Sequence, residues 1–99
     1  MIDIKRIFIL PVSREDSNLL ALARIELASG LFLSELRVYP DTESPNGIFI
    51  MYPTRKTNTG ETIKVFYPNT NRLREFLELE IHKAFLKKLK ESEHEPNRA

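Results

Sequence analysis

The chain has 99 residues, of which 41% are hydrophobic and 29% are charged, and its formal net charge is +1. These values predict one globular domain, assigned to residues 1–91, followed by a polar, disordered tail at 92–99. Cysteine is absent from the sequence, which excludes disulfides, thiolate zinc sites and cysteine nucleophiles. No apolar run reaches the roughly 18 residues that a membrane span needs, and the N-terminus lacks a secretion leader, so we expect a cytoplasmic protein without a membrane partner.

The first third of the chain predicts two antiparallel strands. Residues 2–12 alternate imperfectly between two faces, and Pro11 predicts a strand that stops near residue 10 or lies at a sheet edge. The polar run at 13–18 predicts an exposed hairpin loop. In residues 19–27 the apolar side chains Ala21, Ala23 and Ile25 share one face, which predicts a strand with one buried side.

A tight connection at 28–30 leads into the returning strand at 31–39. Here Phe32, Leu36 and Val38 are predicted to share the buried face. The polar faces of the two strands predict cross-strand ion pairs, with direct ligand contact as the alternative, among Arg24, Glu26, Glu35 and Arg37.

The stretch 46–60 is the most informative part of the sequence. Asn46-Gly47 is a turn signal, and residues 48–52 have the composition of a strand buried on both faces. Pro53 ends that strand, and a basic loop rich in hydroxyl groups follows at 54–57, closed by Gly60. A further strand is predicted at 62–67.

From residue 71 to about 90, apolar side chains recur every three or four residues, which predicts an amphipathic helix with an N-cap at Asn69, Thr70 or Asn71. The predicted fold class is therefore α+β, an antiparallel meander sheet of about five strands with one long C-terminal helix packed on it. One helix covers one sheet face, and Leu79 and Leu86 lie off the main helix stripe. We therefore expect a homodimer to cover the remaining apolar surface.

Several segments together resemble one bacterial family. They are the strand sequence Leu36-Arg37-Val38, the run from Asn46 through Thr57, the pair Gly60-Glu61, and Tyr67-Pro68 before the helix. This ordered set is similar to the SpoVG family, the septation and stage V sporulation protein G. The resemblance covers roughly residues 2 to 89. It implies a small, dimeric, cytoplasmic regulator that binds DNA and, in some members, RNA, with links to cell division and gene control.

The main candidate site is the basic loop. We expect Arg55 and Lys56 to bind the phosphate backbone of a nucleic acid, helped by the hydroxyl groups of Thr54 and Thr57. Arginine can hold a phosphate bidentately, lysine acts as a point charge, and threonine adds neutral donors. The alternative is a solvated surface loop with two exposed cations.

Two arginines in the first turn of the helix are a second indication. Arg72 and Arg74 oppose the helix dipole, and free N–H groups at a helix start together with guanidinium groups favour phosphate binding. The alternative is that they pair with Glu75 and Glu78 at helical spacing. Lys64, on the last strand, is predicted to extend the same surface.

An enzyme is not expected, and no cofactor, metal or small-molecule substrate is predicted. The sequence has two histidines, of which His82 is placed to partner Glu78, and it has no glycine-rich phosphate loop or nucleophile motif. The competing hypothesis is a protein–protein interaction module that acts in cell-division control without contacting nucleic acid.

Overall fold

The computed structural model describes residues 2–12 and 17–93. These residues form six strands and one helix: β1 (Ile4–Pro11), β2 (Ala21–Leu27), β3 (Phe32–Pro40), β4 (Ile48–Met51), β5 (Thr54–Lys56), β6 (Thr62–Lys64) and α1 (Asn71–Glu93). Most of the predicted hairpin loop and residues 94–99 of the predicted tail lie outside the described residues, while α1 continues three residues past its predicted end.

The first four strands form an antiparallel meander in the order β1-β2-β3-β4. The α+β class, the meander and the C-terminal helix are thus confirmed. The prediction of about five strands in this sheet was wrong, because β6 does not join it. Instead β6 pairs with β5 in a separate two-stranded ribbon. Pro53 separates β4 from β5 and has no N–H to donate to a ladder, so the chain leaves the first sheet there.

The helix covers one face of the four-stranded sheet and forms the core with it. Every fully buried aliphatic side chain of the described core comes from that face or from the facing side of α1: Ala21, Ala23, Ile25, Leu36, Val38, Ile48, Ile50, Leu77 and Ile81. The backbone of the helix comes closest to the outer strands β1 and β4. We call the other side of the sheet the open face.

An extra residue in β1 accounts for its imperfect alternation. Ile4 pairs with Leu27 and Arg6 pairs with Glu26, so that Lys5 is inserted into the ladder as a β-bulge. The bulge moves Ile7 and Ile9 onto the covered face together with Ile4. It also places two cations beside one carboxylate, since Lys5 Nζ and Arg6 Nε each lie 3.6 Å from an oxygen of Glu26.

A second bulge in β3 overturns one prediction. Ala23 pairs with Leu36 but Ile25 pairs with Leu33, so that two residues of β3 lie opposite Arg24. One of these two, Glu35, has a φ of 63°, a left-handed conformation that side chains with a Cβ rarely adopt. The shift turns Leu33 toward the core and Phe32 toward the open face, where Phe32 is 42% exposed. The assignment of Phe32 to the buried face was therefore wrong.

Two further predictions about the strands were wrong. Strand β4 alternates between buried and exposed positions and is not buried on both faces, because among the described elements α1 alone covers the sheet. The last predicted strand is shorter than expected and ends at Lys64, after which Val65 donates a backbone hydrogen bond to Pro53.

Helix α1 begins with a side-chain cap. The hydroxyl of Thr70 accepts a hydrogen bond from the backbone N–H of Leu73 at 3.1 Å, which identifies the N-cap among the three predicted residues. Within the described residues, no helix is long and apolar enough to cross a lipid bilayer.

Candidate nucleic-acid interface

The predicted basic loop is a strand in the structure. Thr54 pairs with Lys64, Arg55 with Ile63, and Lys56 with Thr62, so the segment forms the first half of the ribbon. The turn is closed by a backbone hydrogen bond from Thr57 N to Glu61 O at 2.8 Å, and Gly60 has the positive φ that the turn requires. The sequence placed the turn correctly but not the pairing on either side of it.

The strand geometry separates the two neighbouring cations. Because successive side chains of a strand point to opposite faces and directly paired residues share a face, Thr54, Lys56 and Lys64 share one face of the ribbon. Arg55 lies on the opposite face with Ile63. All of these side chains are exposed. Arg55 and Lys56 therefore lie on opposite faces of the ribbon, and Lys56 with Lys64 is the pair of cations that faces one way. Phosphate binding by Arg55 and Lys56 stays a prediction.

The hydroxyl of Thr57 has a role within the turn. It accepts a hydrogen bond from the backbone N–H of Glu61 at 3.2 Å and lies 3.0 Å from the hydroxyl of Thr59. A ligand contact by Thr57 would have to compete with these interactions, whereas no side-chain hydrogen bond within the described residues involves the hydroxyl of Thr54.

One groove brings three of the predicted site residues together. This ribbon groove has a volume of about 290 Å³, and Thr54, Lys64 and Arg74 line it with the aromatic rings of Phe49 and Tyr67. The ammonium group of Lys64 lies 4.7 Å from the centroid of the Tyr67 ring, a cation–π contact that orients the lysine. The groove therefore joins the ribbon to the first turn of α1.

The two arginines of the helix start differ in their surroundings. Arg74 donates a hydrogen bond to the side-chain oxygen of Asn71 at 3.1 Å. Arg72 is exposed, and the first turn contains no acidic residue. Within the part of the chain that the structure describes, neither arginine forms an ion pair, so the predicted alternative of pairing with Glu75 and Glu78 is not observed. Both arginines are exposed to solvent.

One turn further along α1 lies a buried carboxyl group, whose burial was not predicted from the sequence. Glu78 is only 4% exposed, and its burial raises the pKa of its carboxyl group, an effect that the nearby charge of Arg74 opposes. Burial, reinforced by the charge of Glu78, raises the pKa of Tyr52 to about 12. The ring nitrogen Nδ1 of His82 is buried and has no hydrogen-bond partner among the described residues. His82 forms no ion pair with Glu78, so their predicted pairing was wrong.

The structure also shows a cluster on the open face that sequence reasoning missed. The guanidinium carbon of Arg24 lies 4.6 Å from the ring centroid of Phe8 and 5.0 Å from that of Phe32. The predicted ion pairs of Arg24 are replaced by these ring contacts. A signal was present in the sequence, because the consecutive polar residues Ser34 and Glu35 interrupt the alternation of β3 as a bulge would.

The fold and the surface together define a small α+β protein that exposes cations on a β-ribbon beside the start of a helix. Within residues 2–12 and 17–93, no cluster of three or more histidine, aspartate or glutamate side chains is placed to hold a metal ion.

Comparison with known families places the chain. The family model described as SpoVG matches residues 2–87, so the chain belongs to the SpoVG family, and the predicted resemblance is confirmed. Membership makes it a small bacterial protein of a family linked to septation and sporulation. No curated protein matches the chain.

Proposed function

We propose that this protein is a regulator that binds DNA or RNA through contacts to the phosphate backbone, acting as a homodimer in the cytoplasm. The observation that carries the proposal is the ribbon groove, where Thr54, Lys64 and Arg74 meet although they are distant in the sequence. Lys56 lies on the same ribbon face as Lys64, two ladder positions further along.

The chemistry of these groups suits a polyanion. Lysine ammonium groups attract phosphates as point charges, and the guanidinium group of arginine can bind two phosphate oxygens at once. The formal net charge of +1 gives the whole chain little attraction for nucleic acid. Local clustering of Lys64 and Arg74 at the ribbon groove, with Lys56 on the same ribbon face, supplies the field that the total charge does not.

The salt dependence of binding tests this proposal. In the double variant Lys56→Ala/Lys64→Ala, each lost phosphate contact should lower the slope of log K against log salt by roughly 0.9 for duplex DNA. Affinity should fall across unrelated sequences, because phosphate contacts carry no base information. The measurement is fluorescence anisotropy of labelled duplex DNA at four salt concentrations. Arg55→Ala removes a cation from the opposite ribbon face and should change the slope less than half as much as the double lysine variant does.

The control removes the same amount of charge elsewhere. Lys87→Ala/Lys90→Ala takes two exposed cations from the far end of α1. A slope that changes equally in the control and in the ribbon variant, or in neither, would contradict a phosphate site on the ribbon.

Exposed leucines favour a second candidate function, a protein-interaction module. Leu79, Leu86 and Leu89 are all more than one-third exposed on α1, which is unusual for a helix that needs no partner. This candidate predicts no binding of mixed DNA or RNA near physiological salt, together with co-purification of a protein partner that Leu79→Ser/Leu86→Ser releases.

A further inference from the structure

The open face of the sheet carries a cluster of rings and cations. Arg24 lies between Phe8 and Phe32, whose ring centroids are 6.5 Å apart, and the guanidinium carbon of Arg6 lies 5.5 Å from the Phe8 centroid. Arg6 and Arg24 are exposed, Phe32 is 42% exposed and Phe8 is half-buried. The cluster therefore presents ring and guanidinium surfaces to solvent.

A groove extends this cluster across the sheet. This sheet groove has a volume of about 730 Å³ and runs from Phe8 on β1 past Arg24 and Arg37 to Met51 and Thr54. Thr54 lines the ribbon groove as well, so the two grooves meet at that residue. A chain of nucleotides that leaves the ribbon can therefore continue over the open face.

The charges along the open face suit a polyanion. Its carboxylates are Glu26 and Glu35, and Glu26 is already paired with both Lys5 and Arg6. Arg24 and Arg37 are exposed and form no ion pair within the described part of the chain. Glu35 is the one carboxylate of the described sheet groove, against these two arginines.

The backbone is distorted to build this cluster. Without the bulge in β3, Phe32 would point into the core and would not reach Arg24. The bulge holds Glu35 at a φ of 63°, a conformation that costs about 1–2 kcal/mol for a residue with a Cβ. Strained backbone of this kind is concentrated at functional sites.

From these observations we propose that the open face binds single-stranded nucleic acid, with a base stacked on the Phe8–Arg24–Phe32 cluster and phosphates at Arg24 and Arg37. This inference rests on the proposed nucleic-acid function and names the form of ligand that the surface selects. Unpaired bases stack on aromatic rings and on guanidinium planes, and sheets that expose both are suited to that contact. A base inside a duplex has no free face to offer.

The test compares single strands with a duplex of the same sequence. Phe32→Leu keeps an apolar side chain but removes the ring, and affinity for a mixed-sequence RNA or DNA single strand should fall roughly 5- to 150-fold, the effect of losing one stacked base. Affinity for the duplex should not change. The salt slope should also stay the same, since no cation is lost. Leu31→Ala, which alters a neighbouring exposed apolar residue outside both grooves, is the control and should leave single-strand affinity unchanged.

A second variant, Arg24→Lys, retains the charge but loses the planar guanidinium group. Single-strand affinity should fall here too, while the salt slope stays that of the parent protein. Comparing the affinities for RNA and DNA single strands of the same sequence shows which of the two the open face prefers. Thermal unfolding of each variant verifies that the fold is retained.

The outcomes separate this inference from the proposed function. Binding that responds to Lys56→Ala/Lys64→Ala but not to Phe32→Leu or Arg24→Lys would overturn the open-face site and leave the phosphate site standing. A parent protein that binds neither single strands nor duplex would overturn both. If Phe32→Leu converts a dimer to a monomer in sedimentation while single-strand affinity is unchanged, a second copy of the chain occupies the face and the inference is wrong.

Discussion

The two faces of the four-stranded sheet differ in composition although the same strands build both. Toward α1 the strands present aliphatic side chains such as Ile25, Leu36 and Val38, all buried. Toward solvent they present a mixture of aromatic and charged side chains, such as Phe8 and Arg24. The covered face stabilises the fold through the area it removes from water, whereas the open face uses the fold as a rigid support.

The two faces therefore tolerate substitutions differently. A side chain of the covered face has neighbours on every side, so any lost volume leaves a cavity. A side chain of the open face has solvent on one side and can be changed without a cavity. Ligand binding can therefore be altered there while the core keeps the protein folded.

The largest loss of stability is expected in the core between α1 and the covered face of the sheet. Ile81 is 0% exposed, and Ile81→Ala should lower the free energy of unfolding by about 2–5 kcal/mol, because removing buried methyl and methylene groups leaves a cavity between α1 and the sheet. Leu10 on the open-face side of β1 is 62% exposed, and Leu10→Ala should change stability by at most about 0.5 kcal/mol. Urea unfolding followed by circular dichroism measures both. Equal losses would contradict the division between the two faces.

The buried carboxyl group predicts a smaller effect of the opposite sign. Because burial raises the pKa of Glu78, the folded protein holds this proton more tightly than the unfolded chain does. The stability that this group contributes is therefore complete below its ordinary pKa of 4.5 and is lost as the pH rises through the higher pKa of the folded protein. Glu78→Gln should remove that loss and be more stable than the parent protein at neutral pH.

Urea midpoints at a series of pH values between acid and neutral test this sign. Glu61→Gln alters an exposed carboxylate of the ribbon turn and is the control, for which the pH dependence should match that of the parent protein. If the stability of Glu78→Gln relative to the parent protein falls as the pH rises over this range, the Glu78 carboxylate is stabilised in the folded protein, contrary to the prediction.

The smallest expected effect concerns the bulge that supports the open face. Glu35→Gly should raise the free energy of unfolding by about 0.5–1 kcal/mol, which is the relieved left-handed strain less the extra freedom of glycine in the unfolded chain. Ser34→Gly, at a neighbouring position without positive φ, should instead lower it by about 0.5–1 kcal/mol. Thermal unfolding of the two variants distinguishes the signs, and a loss in both would mean that Glu35 is not strained.

Much of the fold was predictable, because the spacing of apolar residues along the chain indicates strands and helices directly. The alternating pattern of β2 and the three- and four-residue spacing of α1 predicted those elements, since a face that meets the core must be apolar at the period of its backbone. The helix cap was predicted to lie among three residues, and the structure selects Thr70. Local chemistry of this kind is encoded within a few neighbouring positions.

The candidate site was less predictable, because its residues meet only after the strands pair. The sequence placed Arg55 beside Lys56, but pairing with β6 turned them to opposite faces and brought Lys56 toward Lys64. Arg74 joins them across the ribbon groove from a separate element. Adjacency in the chain was therefore a poor guide to adjacency on the surface.

The pattern of residues was enough to predict the fold class, the family, the turn at Gly60 and the helix with its two arginines at the start. The folded chain alone shows that the last two strands form a ribbon of their own, and that bulges at Lys5 and at Ser34–Glu35 turn Phe8 and Phe32 toward Arg24. The reason is that the spacing of apolar residues shows which side of a strand or helix is buried, but not which other segment buries it. Which strands pair, and where one of them accommodates an extra residue, depends on contacts between segments that are far apart in the chain.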